Sequence, residues 1–192
     1  MSALVFLLEE ESAKNMLEGI VPRLVPECVH VQYMTFSGKQ DLEKQMVKKI
    51  RFWMEPDSRF IILRDQDSGV CSVIKERLLE LARQSGKAEA CLVRIACHEL
   101  ESFFLGDLAA VAQALNMPSL AEKQNKKLYR KPDSIANAAE ELKKLTNTSY
   151  SKLAGSRAIG PCLKLDGSNR SRSFGVLVEA ICRQVPLLLR QA

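Results

Sequence analysis

Apolar residues fall into two alternating patterns along this chain. Short, nearly continuous apolar runs occupy residues 3–8 (ALVFLL), 29–36 (VHVQYMTF), 59–64 (RFIILR) and 90–96 (ACLVRIA). Runs of this kind suit strands buried on both faces, where the in/out alternation of a half-exposed strand disappears. Between them lie stretches with helical spacing: Ser12 to Leu24, Gln40 to Met54, Val70 to Gln84, and a longer one from Cys97 to about Leu115. Strands alternating with amphipathic helices predict βαβ units, hence an α/β fold with a mostly parallel central sheet of about four strands flanked by helices.

The pattern changes after Met117-Pro118. Residues 119–155 are polar with helical spacing, and Pro132 and Asp133 are expected to start a helix carrying Ile135, Ala138, Ala139, Leu142 and Leu145. A loop rich in Gly, Ser and Arg follows (GSNRSRSF, 167–174), then an apolar final helix from Phe174 to Leu189 with Pro186 inside it. Ser171 or Ser173 suits the N-cap of that helix. The expected organisation is an α/β core over 1–117 and a helical extension over 118–192 packed on it, within one compact domain.

Composition narrows the class. With 192 residues, 46% hydrophobic and 27% charged, the chain is expected to be a soluble globular domain, and disordered or collagen-like classes are excluded. Its apolar runs fall well short of the roughly 20 residues of a membrane span. Glu9, Glu10 and Glu11 follow the first apolar run directly, where a secretory signal would carry small residues, so a cytoplasmic location is expected. Six scattered cysteines without a C-x-x-C pair are read as small buried hydrophobes, and Cys97-His98 lacks partners at zinc-ligand spacing.

Charge is unevenly placed. Residues 113–172 hold 12 Lys+Arg against 5 Asp+Glu, a net of +7 within a chain whose formal total is only +5. Such a segment is either a solvated helical face or a footprint for the phosphate backbone of nucleic acid.

The acids are placed differently, at strand ends. The first predicted strand runs into Glu9-Glu10-Glu11, the third ends in Asp65-Gln66-Asp67, and the fourth is followed by Glu99-Leu100-Glu101. In an open parallel sheet the site lies beyond the carboxyl ends of the strands, so these carboxylates are expected to converge on one rim. Their repulsion calls for a cation, and an oxygen-only donor set favours Mg²⁺ or Mn²⁺. Each acid also has an ordinary structural reading: Glu9 to Glu11 as charges at a helix N-terminus, Asp65 to Gly69 as a turn, one of Glu99 and Glu101 as solvated surface.

A glutamate ending the first strand (Glu9) and an Asp-x-Asp ending a later one (Asp65, Asp67) resemble the Toprim domain of topoisomerases, primases and OLD-type nucleases. The blocks LLEEESAKNMLEGIVPRLVP, FSGKQDL, RDQDSGVCSVIKERL, VRIACHELESFFLGDLAAV, YSKLAG and NRSRSF are together similar to a bacterial Toprim-like family of unknown function, sometimes found in restriction or defence loci beside an ATPase gene. The resemblance implies that Glu9 takes part in metal binding or proton transfer, that Asp65 and Asp67 ligate metal, and that Glu99 and Glu101 supply a further ligand or hold a water. Two positions depart from the Toprim pattern: Glu10 stands where Gly is usual, and Ala13 where many such nucleases carry a second acid.

The expected function is Mg²⁺- or Mn²⁺-dependent cleavage of a nucleic-acid phosphodiester, with an AAA- or ABC-type ATPase as a candidate partner. Lys152 joins Glu9, Asp65 and Asp67 as a catalytic candidate, and either Lys152 or Arg170 is expected to stabilise the leaving oxygen. Lys39, Arg64, Asn169, Arg170 and Ser171 are candidate phosphate contacts, while Arg157 is read as surface charge. The competing expectation is a non-catalytic subunit that binds nucleic acid or an ATPase.

Overall fold

The computed structural model describes residues 2–190. Four strands, β1 (Ala3–Leu8), β2 (His30–Thr35), β3 (Arg59–Asp65) and β4 (Cys91–Ala96), form one all-parallel sheet in the order β2-β1-β3-β4. β1 and β3 are central, and every residue of β1 is buried, which is why its sequence shows no alternation. β2 lies at an edge and is only partly covered.

The helices in chain order are α1 (Glu11–Ile20), α2 (Lys39–Arg51), α3 (Cys71–Gln84), α4 (Glu101–Leu105), α5 (Leu108–Ala114), α6 (Ser119–Glu122), α7 (Ala138–Leu145), α8 (Lys152–Ile159) and α9 (Arg172–Leu189). The two-residue period of β1 divides the core between the faces of the sheet. Ala3, Val5 and Leu7 pack with Leu42, Met46 and Ile50 of α2 and Leu78 and Leu81 of α3. Leu4, Phe6 and Leu8 pack on the other side with Met16 and Leu17 of α1, Phe103 and Phe104 of α4, and Phe174 and Leu177 of α9. That second core also takes in Leu142, Tyr150 and Ile159, so the region after residue 117 shares a core with the sheet. Among the described residues no helix is long and apolar enough to cross a membrane.

The helical expectations hold best in the first half, where α3 matches its predicted span to within one residue. The single helix expected from Cys97 to Leu115 is two: Gly106 and Asp107 interrupt it, and Asp107 caps α5 by accepting from the Ala110 N–H at 3.1 Å. Gln124 completes the break, accepting from the Leu108 N–H at 2.6 Å and donating to the Leu105 and Tyr129 carbonyls at 3.1 and 3.0 Å. Pro132 begins a 3₁₀ turn (Pro132–Ser134) instead of a helix, and α7 starts at Ala138. Ser171 is the N-cap of α9, accepting from the Phe174 N–H, and Pro186 sits inside that helix without ending it. Of the six cysteines only Cys91 is buried, while Cys28 and Cys182 are exposed, which corrects the reading of all six as core residues.

Candidate functional site

The strand order places the site. From β1 the chain steps to β2 on one side, then returns to β3 on the other, so the carboxyl ends of β1 and β3 flank the point where the winding reverses. A crevice opens at such a point because the connecting loops diverge. Glu9 follows β1, and Asp65 ends β3.

Glu9 is held from three directions. Its backbone N–H donates to the Leu63 carbonyl (3.4 Å), its carbonyl accepts from the Gly38 N–H (3.0 Å), and its side chain accepts from the Asp65 N–H at Oε2 (3.2 Å). Gly38 adopts φ +91°, a backbone region open to glycine, and this turn starts α2 against the Glu9 loop. Burial raises the Glu9 carboxyl above its usual value, the Asp65 N–H and Arg64 oppose the shift, and Asp67 and Glu10 add to it.

Asp65 is raised well above the ordinary carboxylate range, first by burial and then by Glu10, Glu101 and Glu9, against the Leu100 N–H. Glu101, the first residue of α4, has no solvent exposure. Its Oε1 accepts from the Tyr150 hydroxyl at 2.8 Å, while its Oε2 has no hydrogen-bond partner. Burial again raises the group, opposed by Tyr150 and Lys152. Lys152 opens α8 and pairs with Glu10 at 2.7 Å. Burial alone would lower the Lys152 ammonium, but Glu10, with Glu101 and Asp65 behind it, outweighs burial and raises it. Three carboxylates, Glu10, Glu101 and Asp65, therefore act on one lysine at the switch point, and Glu9 adjoins Asp65.

The flank is cationic. Arg64 is 8% exposed; one of its terminal nitrogens pairs with Glu43 at 2.6 Å, and its Nε lies 3.8 Å from Glu9. Asp67 adopts a left-handed backbone (φ 53°) and pairs with Lys39 at 2.7 Å. Among the described residues no three His, Cys, Asp or Glu side chains are gathered to hold a metal ion. Two of the acids are ion-paired instead, Glu10 with Lys152 and Asp67 with Lys39.

The structure brings Glu9, Asp65, Glu101 and Lys152 together, with Arg64, Asp67 and Lys39 alongside. It does not bring in the others. Glu99 accepts from the Ala139 N–H at 2.7 Å and so caps α7 from outside that helix. Glu99→Ala should cost about 1 kcal/mol in urea-induced unfolding, the usual loss of an N-cap, and leave metal affinity unchanged. Asn169 donates to the Phe103 carbonyl, Arg170 to the Gln124 carbonyl and Asn125, and Ser171 to Asp133. Asp133 also accepts from the Ser173 N–H at 2.8 Å, so a carboxylate already meets the N-terminus of α9. Arg157 reaches Asn15.

Glu10 stands among the acids expected on the rim, though it departs from the Toprim pattern, and it pairs with Lys152. One participant escapes the sequence reading. Tyr150 lies two residues before Lys152 in the block YSKLAG, and no local signal marks it as the donor to Glu101. Tyr150→Phe should destabilise the fold by about 1–3 kcal/mol at neutral pH, because Glu101 then keeps no partner on either oxygen; denaturant titration measures it.

No curated protein matches the chain. No solved structure matches it either. A family model described as a domain of unknown function, DUF4276, covers residues 8–181, a span that contains Glu9, Glu10, Asp65, Glu101 and Lys152. The chain belongs to the DUF4276 family.

Proposed function

We propose that this protein hydrolyses nucleic-acid phosphodiesters with Mg²⁺ or Mn²⁺ at the β1/β3 switch point. One observation carries the reading: Glu9, Asp65 and Glu101 are raised by burial and by neighbouring carboxylates, the lysine beside them is already paired with Glu10, and a fully buried oxygen of Glu101 has no partner. A divalent cation would relieve that excess of negative charge, and the donors are all hard oxygens. The residues suit such an ion in chemistry. Glu9 and Asp65 would hold it, joined by Glu10 when Lys152 releases it and by Asp67 when Lys39 is released to another anion. The similarity of Glu9 and Asp-x-Asp to Toprim nucleases agrees with this assignment, and an AAA- or ABC-type ATPase partner belongs to the same reading.

A bound cation supplies activation of water and neutralises charge developing on the phosphate. The raised pKa of Glu9 suits it to accept a proton from the attacking water at a side-chain oxygen. The shift on Lys152 keeps it protonated, so it serves as a fixed positive charge for the leaving oxygen rather than as a base. Arg64 and Lys39 stand on the open flank, where they would bind the non-bridging phosphate oxygens. Tyr150 fixes the direction of Glu101 from behind.

Incubation of the purified protein with supercoiled DNA, single-stranded DNA and RNA tests the reading. Cleavage with Mg²⁺ or Mn²⁺ that is lost in EDTA and in Asp65→Asn is the expected result. A second reading is a non-catalytic subunit that binds nucleic acid or an ATPase. The ion pairs that hold Glu10 and Asp67 away from one another favour it. Its signature is metal-independent binding, without cleavage, that Asp65→Asn leaves unchanged.

A further inference from the structure

Between α2 and α3 lies a cleft of about 480 Å³ lined by Lys39, Gln40, Glu43, Lys44, Arg64 and Arg77. Four cations face one carboxylate. Glu43 pairs with Arg64 at 2.6 Å and with Arg77 at 3.3 Å, so one acid holds two guanidinium groups side by side. Two observations show donors left over. Arg64 is more than nine-tenths buried, and its Nε makes no hydrogen bond. Lys44 forms no ion pair among the described residues, and Arg77 is half exposed.

The cleft is continuous with the acidic centre. Arg64 lies between Glu43 and Glu9, and Lys39 belongs both to the cleft lining and to the pair with Asp67. By contrast, several cations of the basic segment 113–172 are occupied inside the fold: Arg130 donates to the Asn125 carbonyl, Arg170 to the Gln124 carbonyl, and Lys152 pairs with Glu10. What sets the cleft apart is continuity with the carboxylates, since Arg64 and Lys39 touch Glu9 and Asp67 directly.

We infer that the α2/α3 cleft binds consecutive phosphates of a nucleic-acid strand and leads that strand to the carboxylate centre. Four cations around one cleft carboxylate leave an excess of positive charge that suits a polyanion, and the strand's phosphates would compete with Asp67 for Lys39 and with Glu43 for Arg64 and Arg77. Delivery to a reacting centre rests on the hydrolytic reading above; binding in the cleft does not require it.

Fluorescence anisotropy of a labelled single-stranded DNA in EDTA, over a series of salt concentrations, tests the inference without any chemistry. The double variant Lys44→Ala/Arg77→Ala should lose roughly ten-fold in affinity at low salt, and its plot of log affinity against log salt should be shallower by about 1.4, the counterion release of two lost phosphate contacts on a single strand. Glu43→Gln should bind several-fold more tightly, a gain that misfolding would not produce. Lys143→Ala/Lys144→Ala, on exposed positions of α7, should match the wild type in affinity and slope. An unchanged slope in the cleft variant, or a loss confined to the α7 variant, overturns the inference. So does competition by inorganic phosphate at the concentration where the strand is displaced, which would mark a single-phosphate pocket. Cleavage that survives in the cleft variant with undiminished strand affinity removes the cleft alone; salt-dependent cleft binding with no cleavage under any metal removes the hydrolytic reading alone.

Discussion

Asp65→Asn should abolish metal-dependent hydrolysis, a fall of roughly 10³-fold or more, while raising the melting temperature at neutral pH. Opposite effects on activity and stability follow from the environment of this carboxyl. Burial, then Glu10, Glu101 and Glu9, push it well above the usual range, with the Leu100 N–H opposing, and Lys152 is the cation beside it. Between the unfolded value, near pH 3.9, and the raised folded value, the folded chain binds more protons than the unfolded chain. Stability is therefore lost as pH rises through that window, and the loss is complete above it. Asparagine carries no charge to desolvate, so its advantage over aspartate grows as pH rises through that window, is full above it and vanishes below about pH 4. Thermal unfolding over a pH series measures this. Addition of Mg²⁺ should raise the wild-type melting temperature by mass action and leave Asp65→Asn unmoved. A less stable Asp65→Asn that still cleaves would contradict both halves of the prediction.

Gly160→Ala should be among the most damaging small substitutions. A methyl group there would stand 2.5 Å from the Met16 carbonyl oxygen and 3.0 Å from its Cα, and both are backbone atoms of α1. A facing glycine, Gly19, leaves no room either, since its own Cβ would meet Pro161 at 2.5 Å. No side chain can rotate to relieve the contact, so α1 and the turn after α8 must separate, at a cost of about 3 kcal/mol. For a chain of this size the melting temperature should fall by about 6–12 °C. The damage should also reach the site, because α1 begins directly after Glu10 and α8 begins with Lys152. Weakened metal affinity together with the lower melting temperature is the expected pair of results, and calorimetry reads both.

The centre of the sheet was legible in the sequence because β1 and β3 are covered on both faces and so appear as unbroken apolar runs; β1 coincides with ALVFLL. Glu9 and Asp65 were legible by position, since strand ends in a parallel sheet define the rim. The segment after Met117 was not. Its turns are stabilised by distant partners, Gln124 for the α4/α5 break and Glu99 for the start of α7, and no local spacing records those bonds. The same limit hid Tyr150, which reaches Glu101 from 49 positions away in sequence. The cleft was hidden differently: Lys44 and Arg77 lie on amphipathic helices whose outer charges read as solvated surface, and only the packing of α2 against α3 places them together around Glu43.

Titration of the wild-type protein with Mn²⁺ by calorimetry, in two buffers of different ionisation enthalpy at neutral pH, addresses the central claim most directly. Because burial raises Glu9, Asp65 and Glu101, a cation entering among them competes with protons for the same oxygens. Saturable binding with proton release, absent from Asp65→Asn, is the predicted result; no saturable binding, or binding that Asp65→Asn retains, would contradict the account.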